Sequence, residues 1–125
     1  MSVYNDLTKY LNDNNIKFEE EEIDKNVYQF AFKMEKQINV FVYEYSHIKI
    51  FIPLGVSVND NDAEKAVSRV NEINVETYGY ETVLLENNYY FIKTIPLMFD
   101  LKADDLINII KQAEKKVEEV VGKIS

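Results

Sequence analysis

The chain has 125 residues, of which 46% are hydrophobic and 29% charged, so it can bury one core of ordinary globular character, and a single domain over residues 1–125 is expected. A formal net charge of −8, with Arg69 the one arginine, disfavours nucleic-acid binding, because phosphate is repelled and the bidentate donor suited to it is almost missing. Cysteine is absent, which removes disulfides, thiolate metal sites and a cysteine nucleophile together, and fits a cytoplasmic protein.

A first helix is predicted from Ser2, a good N-cap, to about Asp13, with Val3, Leu7, Tyr10 and Leu11 at helical spacing. Asn14-Asn15 ends it, since Asn tolerates the left-handed backbone of helix termini. This N-terminal stretch has neither the basic start nor the apolar core of a secretory signal.

Four strand patterns follow: Ile16–Ile23, then Val27–Met34, then Ile38–Tyr45 and Ile48–Leu54. Their turns are short, so successive strands are antiparallel. The run VNDND at 58–62 is rich in N-cap residues and opens a second helix to about Val75. A hairpin is expected next, Tyr78–Glu86 with Tyr89–Pro96, turning on Asn87-Asn88. That turn pairs Leu85 with Tyr90 and Val83 with Ile92 on one face, and Leu84 with Phe91 and Tyr80 with Ile95 on the other. The last helix, Ala103–Lys123, carries an apolar stripe that includes Leu106, Ile110, Ala113, Val117 and Val120. No apolar run is long enough to span a membrane. The order α-β-β-β(-β)-α-β-β-α is that of an α+β domain, helices packed on one face of an antiparallel sheet.

Both faces of that sheet read as apolar, and the helices can cover one of them. The other needs a partner, because large exposed apolar patches mark interaction sites. Tyr28, Phe30, Phe41, Tyr43, Tyr80, Leu84 and Phe91 are the candidate surface for a protein partner or a homodimer. Nine tyrosines suit such a surface, since each couples contact area to a polar end that tolerates water.

Motifs that carry chemistry are weak. In FEEEEI, residues 18–23, alternation sends Glu19 and Glu21 to one face and Glu20 and Glu22 to the other. The run reads as an acidic edge strand that blocks edge pairing, or as a docking surface for a basic segment. His47, the one histidine, is expected at a solvated turn beside Ser46, and adjacency in sequence does not make a triad. Asp104 and Asp105 lie in the first turn of the last helix, where negative charge suits the helix dipole. Gly55, Gly79 and Gly122 are isolated, so no phosphate-cradling loop is present. No catalytic, cofactor or metal residue is assigned, and an enzyme is disfavoured. The alternative is a small-molecule-binding protein or enzyme using a tyrosine-lined pocket, with Glu20, Glu22 or His47 at its rim.

One stretch is more specific. Val70-Asn71 and Ile73-Asn74 close the second helix, the strand Tyr89–Ile95 follows the hairpin turn, and Pro96-Leu97 leads into the last helix. This pattern, over about residues 63–121, resembles the YbjN family, whose fold is shared with the class I chaperones of type III secretion. The resemblance implies a small, non-enzymatic, chaperone-like or regulatory protein, dimeric and holding a segment of another protein. Asn71 and Asn74 then bond nearby backbone groups at the helix end, with Pro96 as the third structural position. Where the family has a capping Thr after Leu, this chain has Lys102 after Leu101; lysine caps poorly, and Asp100 or Asp104-Asp105 is expected to substitute.

Overall fold

The structure is a computed structural model that describes residues 3–57, 80–85, 88–97 and 101–124. Helix α1 spans Val3–Asp13, and strands β1 (Phe18–Asp24), β2 (Val27–Lys33), β3 (Gln37–Tyr43) and β4 (His47–Ser57) follow. After β5 (Glu81–Leu85) and β6 (Asn88–Pro96), helix α2 runs from Ala103 to Ile124. The six strands form one antiparallel sheet in the order β1-β2-β3-β4-β6-β5, so β6 inserts between β4 and β5. The α+β class and the helix-sheet order over the described residues are as the sequence predicts. The expected helix over 58–75, with Asn71 and Asn74, lies outside the described residues.

Local chemistry sets the element ends. Asn15 has φ 56, and the Ile16 amide donates to the Leu11 carbonyl at 2.9 Å while Asn15 donates to Asn12 at 3.1 Å. That paired pattern is a Schellman motif with Asn at its left-handed position. In β4 the predicted end at Leu54 is not the end. Gly55 takes φ 73, the register to β6 shifts between Pro53 and Ser57, and the strand runs on. Glycine here builds a bulge, because it accepts a positive φ at no steric cost. The β5–β6 register also differs from expectation: Val83 pairs with Tyr90, Leu84 with Tyr89 and Leu85 with Asn88. Asn88 belongs to the strand rather than to the turn, which slides the pairing by two residues and so keeps every side chain on its predicted face.

The covered face is set by cross-strand columns. Phe30, Val40 and Ile50 are neighbours across β2, β3 and β4, and all are at most 1% exposed. Ile48, Ile52 and Phe91 extend this layer, and Leu7 and Leu11 of α1 and Leu106, Ile110, Ala113, Val117 and Val120 of α2 close over it.

Carboxylates fasten the helices to the sheet and to each other. Glu44, in the β3–β4 turn, accepts from the Tyr4 amide at 3.0 Å, in the first turn of α1. Asp6 of α1 accepts from the Ala103 amide at 2.7 Å, capping α2. Glu114 of α2, only 3% exposed, accepts from the Lys36 amide in the β2–β3 turn at 2.7 Å. Among the described residues the cap comes from Asp6, 97 positions away in sequence, and not from Asp104-Asp105. Asp104 and Asp105 stay exposed in the first turn of α2, and Asp100 lies outside the described residues.

Candidate functional site

Paired strand residues share a face, so the sheet register separates the candidate residues directly. Tyr28, Phe30, Leu84 and Phe91 lie on the helix-covered face. Phe30 and Phe91 are 0% and 1% exposed, so the expectation that they line a partner surface is corrected: they are core. Tyr28, Tyr80 and Leu84 are half-buried and pack against that same core. Tyr80 stacks on Phe91 with ring centroids 5.0 Å apart, and the Lys93 ammonium sits 4.9 Å from the Tyr80 ring. Phe41 and Tyr43 are the two candidates on the opposite face, which α1 and α2 leave open.

The open face has more aromatic surface than those two residues suggest. Phe41 meets Phe51 edge-on with centroids 5.2 Å apart. Phe51 pairs with Ile92, and Pro53 and Val83 flank Tyr90 from either side. All of these are half-buried, and none packs against the core cluster. At one end Tyr43 stacks on His47 at 4.4 Å, and the His47 Nδ1 lies 2.7 Å from the Ser46 hydroxyl. His47 thus begins β4 as an aromatic partner instead of sitting free in a turn. Pro96 pairs with His47 at the exposed end of β6.

Phe51, Ile92 and Tyr90 were missed as surface candidates because both faces alternate apolar residues. A signal was present: Gln29, Asn39 and Lys49 share the face of Phe41, while Ile38, Val40, Val42, Ile48 and Ile50 opposite are apolar throughout. Polar interruption, rather than aromatic content, marks the face that is not core.

The margins of the open face are acidic. Glu19 and Glu21 stand on it from edge strand β1, and Glu81 from the other edge, β5. A groove of about 470 Å³ beside β1 is lined by Glu19, Glu20, Glu21, Gln29 and Ala31. The register breaks between Glu22 and Asp24, a bulge that with the glutamates discourages another strand from pairing there. On the covered side the Tyr4 hydroxyl donates to Glu20, and that bond raises the Tyr4 pKa to about 12. Tyr28, 4.2 Å from the Tyr4 ring, is raised by partial burial and then by Glu22 and Glu44. Among the described residues no group of three or more histidine, cysteine or carboxylate side chains is placed to hold a metal, and no helix is long and apolar enough to cross a membrane.

No protein-family model matches the sequence, and no curated protein matches it. Solved structures do. The crystal structure of YbjN from E. coli, a proposed transcription regulator, superposes with a TM-score of 0.65 over 94% of this chain and 87% of that one, at 11% sequence identity. The fold of the chain is therefore YbjN-like.

Proposed function

We propose that the chain is a non-enzymatic protein-binding module, chaperone-like or regulatory, that works through the open face of its sheet. The observation that carries this is the half-buried strip of Phe41, Phe51, Ile92, Tyr90 and Val83 on the side away from α1 and α2. Aromatic surface of this kind, interrupted by polar residues, has the composition of an interface centre with a polar rim. The name of the E. coli neighbour supports a regulatory role. The charge supports regulation by protein contact rather than by DNA, since Glu19, Glu21 and Glu81 border the strip and the whole chain carries −8. A cytoplasmic site of action fits a cysteine-free acidic chain. The small-molecule alternative is less well supported: glutamates, not tyrosines, dominate the lining of the groove beside β1.

Replacing Phe41 and Phe51 together by threonine removes the strip while keeping a residue type that suits strands. Affinity capture from the native host and the mass in solution, compared with the unaltered chain, test the proposal. Loss of a captured protein or of a self-associated form is expected, with the circular dichroism spectrum retained. An unchanged set of captured proteins together with an unchanged mass overturns the proposal.

A further inference from the structure

Resting on that reading, we infer that the occupant of the open face is a basic, apolar polypeptide segment of another protein, and not a second copy of this chain. Two observations carry the inference. The first is what a second copy meets. Two copies stacked face to face with aligned strands and two-fold symmetry bring edge over edge. Either β1 lies over β1, setting Glu19 and Glu21 against their own counterparts, or β1 lies over β5, setting them against Glu81. Like charges placed opposite one another disfavour the pairing, and each copy adds a net −8.

The second observation is the layout of one cross-strand row. Glu19, Ala31, Asn39, Phe51, Ile92 and Glu81 follow one another across all six strands. Apolar Phe51 and Ile92 lie inside this row and carboxylates stand at both ends. The groove of about 470 Å³ opens at the Glu19 end, where Ala31 offers no bulk and Glu19 and Glu21 supply charge. Three strand spacings separate Glu19 from Phe51, roughly 14 Å. An extended segment lying across the strands covers that distance in about four residues, and its positions i and i+4 point the same way. The row therefore fits an apolar side chain on Phe51 and Ile92 with a lysine or arginine four positions away in the acidic groove. Glu19 and Glu21, the two exposed glutamates of β1 on this face, then have a use beyond guarding an edge, a task that lysines perform as well.

A random dodecamer peptide library, selected on the immobilised chain and counter-selected on the Phe41→Thr/Phe51→Thr variant, tests the inference. Enrichment of peptides pairing an aromatic or aliphatic residue with Lys or Arg about four positions away is expected. The double variant Glu19→Lys/Glu21→Lys keeps the Tyr4–Glu20 bond and should bind the winning peptide about tenfold more weakly, with a weaker salt dependence. Enrichment of apolar peptides without basic residues, or unchanged affinity in the lysine variant, overturns this inference and leaves the protein-binding reading standing. So does a dimer in solution that the threonine variant dissociates. No enrichment over the threonine variant overturns the inference; joined to unchanged capture and mass in that variant, it removes both readings.

Discussion

The two faces of the sheet use one alternating pattern for opposite purposes. On the covered face Phe30, Val40 and Ile50 sit side by side with at most 1% exposure, and apolar residues continue along β2, β3 and β4. On the open face Phe41 and Phe51 are equally aromatic, yet Gln29, Asn39 and Lys49 separate them from a continuous layer and all stay half-buried. Aromatic content is therefore a poor guide to which side of a sheet is core. The absence of polar interruptions in two or three adjacent strands is a better one, because a fully covered face leaves no water for an amide or an ammonium.

The largest expected difference between the faces is in stability. Phe30→Ala opens a cavity in a layer that cannot collapse and should cost about 3–5 kcal/mol. Phe51→Thr, on the open face, removes only partly buried surface and should cost about 1 kcal/mol or less. Urea denaturation of both variants checks this, and comparable losses would erase the distinction between core and surface.

Much of the fold was legible in the sequence because it is local. The period-2 alternation gives β2, β3 and the start of β4, Asn14-Asn15 gives the end of α1, and the stripe Leu106, Ile110, Ala113, Val117 gives α2. What escaped is long-range. Asp6 and Glu114 look like ordinary solvated carboxylates in their helices, and only the tertiary fold brings the Ala103 and Lys36 amides to them. The choice of Phe91 and Leu84 over Tyr90 and Val83 as surface failed for the same reason. The hairpin alone separates two faces correctly but does not say which one meets the helices.

The next expected effect concerns how the cover is fastened. Removing the carboxylate in Glu114→Ala leaves the Lys36 amide without its acceptor in a part-buried setting and should cost about 1–3 kcal/mol. Glu114→Gln keeps a carbonyl acceptor and should lose less. The neighbouring Lys36–Glu118 ion pair, 2.7 Å apart, is solvent-exposed on the Glu118 side and should contribute at most about 1 kcal/mol, fading with salt. Denaturation midpoints of Glu114→Ala, Glu114→Gln and Glu118→Ala in low and high salt rank the three. An Ala loss no greater than the Gln loss would mean that the buried acceptor does not hold the β2–β3 turn to α2.

The smallest effect lies where the covered face meets the acidic edge. The Tyr4 hydroxyl donates to Glu20, and its pKa rises to about 12 from an ordinary 10. The folded chain thus holds this proton more tightly than the unfolded chain does. Its contribution to stability is complete below pH 10 and is lost as pH climbs through the window between 10 and about 12. Tyr28 is shifted in the same direction and adds to the same slope. Tyr4→Phe removes the titrating hydroxyl, so its stability should be lower at neutral pH but fall less steeply over that alkaline range than the unaltered chain's. Thermal midpoints at neutral and alkaline pH, taken on both proteins, measure the two slopes. Parallel slopes would mean that the Tyr4–Glu20 bond does not couple α1 to β1.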